Sequence, residues 1–567
     1  MRDAMSRVSL ASAVVLLAAL GALGAGAPAN PYETAAAPTP DTQIDKLVFA
    51  RLEKLGIEPA HLCSDAVFVR RVYLDVIGTL PTAQEAREFF QDKDPQKRRA
   101  LIDRLLERDE FADYWAMKWG DLLRVKAEFP INLWPNAAQA YHRWIRTSIK
   151  ENMPYDRFVR EMLTANGSCF QSPPVNFYRA MQNREPQGIA QTVALTFMGM
   201  RTDTWPKERL SGMAAFFSLI SYKSTGEWKE EIVTFDPDKK AAPAAATQAA
   251  AAGTTQTASG ATQAATGTTL KVAGATQAAA TSVTPQAAIF PDGTAARLTA
   301  GQDPRAVFAD WLTAPRNAYF ARAIANRVWS WLVGRGIVHE ADDMRPDNPP
   351  ANPELLAHLE QQMVAVRYDM KEFMRLILNS KTYQLSSIPR TERPEGAANF
   401  AYYPLRRLEA EVLIDALDQI TGTTEKYTSA IPEPFTFIPE NLRSIALPDG
   451  SITSSFLEMF GRPSRDTGLE SERNSRPTAD QRLHMLNSSH IQRKLEQSKK
   501  LQYLTQSRSE PREVVAGLYL MILSRWPTEE EMKTALAYSG PGGAKGREAA
   551  MDIAWALINS TEFLYRH

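Results

Sequence analysis

In the stretch PQKRRALIDRLLERDEFADYWAMKWGDLLR, large apolar residues return at steps of three and four: Leu101, Ile102, Leu105, Leu106, Phe111, Trp115, Trp119, Leu122 and Leu123. An α-helix turns once in about 3.6 residues, so this period puts them on one helix face. The face breaks near Asp109, which predicts two helices meeting at a corner. PNAAQAYHRWIRTSIKEN and PYDRFVREMLTAN carry the pattern on, with Pro135 and Pro154 at helix starts, where a missing N–H is tolerated. It resumes at DPRAVFADWLTAP and runs to the C-terminus. The expected fold class is mainly α: multi-helical, with two packed helical regions (44–235 and 291–567), a small β element and a long disordered insertion.

The insertion is expected at 236–290. Between 241 and 289 the chain is built from Ala, Thr, Gln and Gly, the string ATQAA begins at Ala246, Ala261 and Ala275, and large apolar side chains are nearly absent. Such a segment cannot offset the entropy of ordering and should be dispensable for folding. The flanking runs EEIVTFD and AAIFPDG are short and β-like. Residues 30–43, rich in Pro, Ala and Thr, read as a disordered leader.

A weak repeat links the two ends of the chain. VYLDVIGTLPTAQE (Val72–Glu85) matches LYLMILSRWPTEEE (Leu518–Glu531), and Tyr73 and Tyr519 each lie eight residues before a proline. In each copy Thr follows the proline, with Glu three residues beyond the Thr (Thr82/Glu85, Thr528/Glu531). That is a capping box: the Thr hydroxyl caps a helix start and the Glu reaches back to it. The copies close on LIDRLLERDEF and WALINSTEF, and RLILNSKTY is a third echo.

The N-terminus MRDAMSRVSLASAVVLLAALGALGAGAPANP has Arg2 and Arg7 before an apolar run that ends in small residues. Ala27 and Ala29 fit the A-x-A rule, so residues 1–29 read as a secretory signal peptide; an uncleaved anchor is the other reading. The expected location is the periplasm or the outside of the cell, with no membrane span after cleavage. Export permits a disulfide between Cys63 and Cys169, the only two cysteines; two small buried apolar side chains is the alternative. Lys plus Arg and Asp plus Glu both total 65. This balance, with no basic patch, argues against nucleic acid as a partner.

No phosphate-binding loop, H-E-x-x-H, nucleophile elbow or EF-hand is present. His484 and His490 are six apart, the wrong spacing for one helix face, so no metal site is expected. Two polar clusters stand out. NRVWSWLVGRGIVHEADDMRPDNPPANPELL carries Arg327, Arg335, Asp342, Asp343, Arg345, Asn348 and Asn352 around a Gly- and Pro-rich turn. FGRPSRDTGLESERNSRPT carries Arg462, Glu470, Glu472 and Arg473. Paired carboxylates at Glu470 and Glu472 suit acid–base chemistry; a loop-locking ion-pair network suits the same residues.

RRVYLDVIGTLPT, YWAMKWGDLLR and MPYDRFVREMLTANGS resemble the domain-of-unknown-function family 1549. NRVWSWLVGRGIVHEADDMRPDNPPANPELL, LILNSKTYQLSS and RRLEAEVLIDALDQITG resemble its usual companion, family 1553. The resemblance covers nearly all of 44–567 outside the insertion. It implies an exported protein of planctomycete-type bacteria, often associated with cytochrome-c-like domains and encoded beside a sulfatase-like protein. In many relatives a C-x-x-C-H-x-H motif interrupts the stretch that here reads MGMRTDTWPKERLSGMAAFF, and C-E-C-E-R stands where this chain has Leu469, Glu470, Ser471, Glu472 and Arg473. C-x-x-C-H is the spacing for covalent haem, with zinc or a disulfide as rivals. The resemblance therefore implies a site given up, with remnants at Thr202, Asp203, Trp205, Leu469 and Ser471. The break at 202–207 should then approach 469–473, with Trp205, Leu469 and Arg473 filling the space.

The expected function is an exported helical scaffold or binding protein with no cofactor. Two alternatives are a redox partner of an extracytoplasmic cytochrome and a component of sulfated-glycan breakdown.

Overall fold

The computed structural model describes residues 30–239, 287–299, 301–506, 510–539, 543 and 546–567. The expected signal peptide and most of the expected insertion lie outside the described residues. Among the described residues helices dominate, and strands are few and short. The helix corner at Asp109 is present as helices Lys97–Leu106 and Asp109–Leu122. Pro135 opens helix Pro135–Lys150 at its first position, while Pro154 sits one residue before helix Tyr155–Thr164.

The small β element is a three-stranded antiparallel sheet. β1 (Gly167–Ser168) and β2 (Ile220–Ser224) flank β3 (Glu231–Phe235), with Val233 facing Gly167 on one side and Tyr222 on the other. A second, two-stranded sheet pairs β4 (Arg406–Arg407) with β5 (Tyr565–Arg566), next to the C-terminus.

The two expected helical regions share one continuous core, which runs from Ile44 to Phe563. Helix Ala318–Val333 packs on Pro186–Met198 and on Asp65–Ile77, so the second region packs directly against the first. Polar pins cross the same boundary. Arg70 donates to the carbonyls of Ile522 (2.8 Å) and Phe563 (2.9 Å), and Arg71 to those of His567, Tyr383 and Leu385. The buried Asp75 carboxylate accepts Tyr383 Oη (2.9 Å), Tyr403 Oη (2.8 Å), Arg566 Nη1 (2.8 Å) and Arg406 Nη2 (3.4 Å).

The repeat is visible as geometry. Both capping boxes are formed, at Thr82/Glu85 and Thr528/Glu531. The preceding helices both end in a left-handed residue, Gly78 in one copy and Ser524 in the other (φ 60° each). In each copy an arginine clamps the capping glutamate to a glutamate in the first turn of a later helix. Arg108 holds Glu85 and Glu110 over the Tyr73 ring; Arg525 holds Glu531 and Glu562 over Tyr519. The two arginines do not align in sequence, so the clamp is supplied from different positions.

Two expectations need correction, and the choice left open for the cysteines is resolved. The leader is not loose from Asn30 onward: Tyr32 packs on the core and donates to Glu562 (3.1 Å), Ser64 Oγ donates to the Pro31 carbonyl (2.6 Å), and Glu33 bridges to Cys63. One aromatic ring anchors a segment whose composition is otherwise that of a linker. The downstream end of the expected insertion belongs to the body, because Phe290 stacks on Phe216 (4.9 Å) and Trp311 (5.0 Å), and Ile289 N donates to the Gly212 carbonyl. Cys63 and Cys169 are both free and buried, and not bridged. Cys63 sits beside the Arg98 guanidinium, and Cys169 Sγ accepts Glu231 N (3.3 Å) at the sheet. Each is fixed by its own backbone neighbours in a different part of the fold.

Two outcomes follow. Asp75→Asn takes from Arg566 one of its two buried counter-charges, leaving Glu409 as the other, and should cost about 1.5–3 kcal/mol in chemical denaturation, the range for a lost hydrogen bond to a charged group; a loss below about 1 kcal/mol would show that the Asp75 contacts are incidental. Burial, with Arg465 nearby, pushes the His142 imidazole in helix Pro135–Lys150 down to about 3 from an ordinary 6.5. The unfolded chain therefore takes up a proton that the folded chain refuses. Stability from this group is full above pH 6.5 and drains as pH falls toward 3, by about 1.4 kcal/mol per unit at most. His142→Phe should flatten the slope of unfolding free energy between pH 6.5 and 4; an unchanged slope would acquit His142.

Candidate functional site

The polar residues singled out in sequence converge on the loops around helix Ala318–Val333. Arg327, inside that helix, is fully buried because its guanidinium has fixed partners: the Thr196 carbonyl (2.7 Å), near the end of helix Pro186–Met198, and Asp342 Oδ1 (2.7 Å). Asp342 spends its other oxygen on the Glu470 amide (2.6 Å). Glu470 Oε1 accepts the Trp331 indole N–H (2.7 Å), one turn along from Arg327. Burial raises the Glu470 carboxyl above its ordinary range, Asp342 adds to this, and Lys118 opposes it.

The rest of the first cluster closes its own loop. Arg345 grips Asp343 through two hydrogen bonds (2.5 and 2.8 Å). Asn348 donates to the carbonyls of His339 and Asp343. Asn352 caps helix Pro353–Ala365 by accepting Leu355 N (3.0 Å), and donates to the Leu47 carbonyl. Arg335 lies near His339, whose imidazole is lowered by burial first and by Arg335 second.

The second cluster faces inward. Arg473 forks onto two buried carboxylates, Asp121 (2.6 Å) and Glu411 (2.7 Å). Arg465 takes the other Asp121 oxygen (2.9 Å). Arg462 donates to the carbonyls of Ile452 and Asp449 and lies 3.5 Å from Glu411; burial pushes it down to about 10. Glu472 accepts Ser464 Oγ, Asp466 N, Thr467 N and Thr467 Oγ1, which knits the turn before it. Burial alone would raise the Glu472 carboxyl, and these donors bring it below the ordinary range. Glu470 and Glu472 therefore do not act as a pair: each serves a different segment.

Deeper in, sequence reasoning missed a third group. Glu409 forms ion pairs with Lys118 and with Arg566 Nη2 (3.2 Å), and accepts Tyr114 Oη (3.0 Å). Against burial, Lys118 and then Arg566 hold the Glu409 carboxyl well below the usual range. The legible signal was a lone polar residue inside an apolar run: Asp75 in VYLDVIG and Lys118 in WAMKWGD.

The expected remnants are divided. Thr202 is buried, and its carbonyl accepts Trp205 N (3.0 Å); Asp203 is exposed. The Arg209 guanidinium covers the Trp205 ring at 3.8 Å. Leu469 is half-buried, and Ser471 is exposed in the short turn Glu470–Glu472. The two segments are tied to one stretch, 341–344: the Gly199 carbonyl accepts Met344 N (2.9 Å), and Asp342 holds Glu470 N. The Arg473 guanidinium is bound to Asp121 and Glu411. Among the described residues, no group of three or more His, Cys, Asp and Glu side chains could hold a metal ion, and no helix is long and apolar enough to cross a membrane.

Residues 43–213 match the model of a family described as a protein of unknown function (DUF1549, PSCyt2), and residues 304–539 match a second (DUF1553, PSD1). No curated protein and no solved structure matches the chain. The first matched region carries Asp75, Lys118 and Asp121, and the second carries Arg327, Asp342, Glu409, Glu411, Glu470 and Arg473. The ion-pair network is therefore the joint between the two regions, and the chain belongs to the paired families DUF1549 and DUF1553, one in each half.

Proposed function

We propose that the chain is an exported helical scaffold or binding protein, working in the periplasm or outside the cell, and that its charged clusters are structural. One observation carries this reading: apart from Arg335, whose buried Nε has no hydrogen-bond partner, the charged side chains picked out from sequence are bound to one another or to backbone. Asp342 illustrates it, with Arg327 on one oxygen and the Glu470 amide on the other. A carboxylate engaged on both oxygens is poorly placed to move protons for a substrate. A charge so held instead fixes the loops that carry it, because releasing either partner strands the other in a buried setting. The outward-facing surface around Trp205 and Arg345 is then a rigidly presented binding face.

Two isosteric variants separate the structural from the chemical reading. Asp342→Asn should destabilise the protein by about 3–5 kcal/mol, because Arg327 is left unmatched. Glu470→Gln keeps an oxygen for Trp331 and removes a charge beside Asp342, so its unfolding midpoint should stay at or above that of the wild type. Both variants and the wild type would then be assayed for release of reducing ends or sulfate from sulfated polysaccharides. An activity in the wild type that Glu470→Gln abolishes without loss of stability would sink the scaffold reading.

A further inference from the structure

Helices Ala479–Asn487 and Ser489–Glu496 meet at Ser488, which follows the first and caps the second by accepting Ile491 N. This corner brings together two histidines that their spacing keeps off any single helix face. His484, in the last turn of one helix, and His490, in the first turn of the next, lie with His484 Nε2 3.3 Å from His490 Nδ1. On its far side His490 Nε2 meets Glu425 Oε2 at 2.9 Å. Glu425 is buried and also bound to Lys494 (3.1 Å), which in turn pairs with Asp418. An acceptor on Nε2 puts the His490 proton there, which leaves the Nδ1 lone pair aimed at His484. Both rings rest on an apolar floor, the stacked pair Phe456 and Phe460, and both remain half-exposed.

Two imidazole nitrogens on one tetrahedral ion, each about 2.0–2.1 Å from it, stand about 3.3 Å apart. A carboxylate behind a histidine is the usual outer partner that fixes ring orientation and raises ligand basicity. We propose that His484 Nε2 and His490 Nδ1 form a two-nitrogen chelate for a divalent transition ion of the Zn²⁺ or Cu²⁺ class, with Glu425 as the positioning residue behind His490. Two protein ligands leave positions open to water or to a donor from a partner, so the ion exchanges freely. Neither ligand needs to cross the molecule, since the corner already holds the bite.

The test uses the untagged mature chain, stripped of metal and titrated calorimetrically with ZnCl₂ and, separately, with CuSO₄ in glycine buffer. One equivalent of at least one ion should bind with a micromolar Kd. His484→Ala and His490→Ala should each weaken it at least tenfold, Glu425→Gln severalfold, and His358→Ala not at all. Absence of binding of either ion, or binding that survives the two histidine variants, would overturn the site. Electron paramagnetic resonance of Cu²⁺ on the wild-type chain guards against variants that misfold: coupling to two imidazole nitrogens supports the chelate, and coupling to one or none removes it.

Discussion

A single buried carboxylate holds the molecule in register. Asp75 sits inside the apolar helix Asp65–Ile77 with no exposure, and collects donors from three remote places: Tyr383 and Tyr403, Arg406 on β4, and Arg566 on β5. Removing such a charge from water costs several kcal/mol, and only a complete set of donors offsets that. The set is complete only when β4 and β5 are paired and the Tyr383–Tyr403 segment is docked. Apolar contacts tolerate sliding by a fraction of a turn; a carboxylate shared among four donors does not.

From Asp75 the constraint spreads by shared partners. Arg566 reaches Glu409, and Glu409 reaches Lys118 and Tyr114. Glu411, two residues from Glu409, meets Arg473, which meets Asp121, which meets Arg465. A third set, Arg327, Asp342 and Glu470, ties the break after helix Pro186–Met198 to the 470–473 turn. Both family-matched regions contribute charged side chains to the first two sets, and the first region joins the third through the Thr196 carbonyl. Each ion pair alone is close to neutral against a well-packed apolar alternative. What the sets contribute is a defined geometry for the joint between the regions, and for the loops on its surface.

Local signals in the sequence survived folding well. The helix corner at Asp109, both capping boxes and the upstream β-like flank of the insertion were readable, because each depends on residues within a few positions of one another; the downstream flank makes only an isolated bridge, Ile289 to Ala295. The cysteines were left open between a disulfide and two buried apolar side chains because nothing local reports whether Cys63 and Cys169 meet; each is free, buried and held in a different part of the fold. The polar clusters were visible as clusters, but their partners were not. Asp121 and Glu411 drew no notice, although they decide where Arg473 points. A spacing of six separates His484 and His490 only where one helix carries both; the corner at Ser488 puts them on two helices and brings their rings together. Ser-Ser-His after LHMLN was the available clue, since serine before a new helical run is a cap signal.

Glu470 and Glu472 show why residue type and spacing could not settle the chemistry. They stand two apart in one short turn and shift in opposite directions. Glu472 receives four donors from the 464–467 turn, enough to outweigh its burial. Glu470 receives one, from Trp331, and faces Asp342, a like charge whose own demand is already met by Arg327. The same carboxyl is thus a structural anion in one position and a weaker acid in the other. What separates them is the number of donors the fold aims at each: the one donor to the Glu470 carboxyl comes from Trp331, more than a hundred residues away, and the four to Glu472 come from the turn just before it.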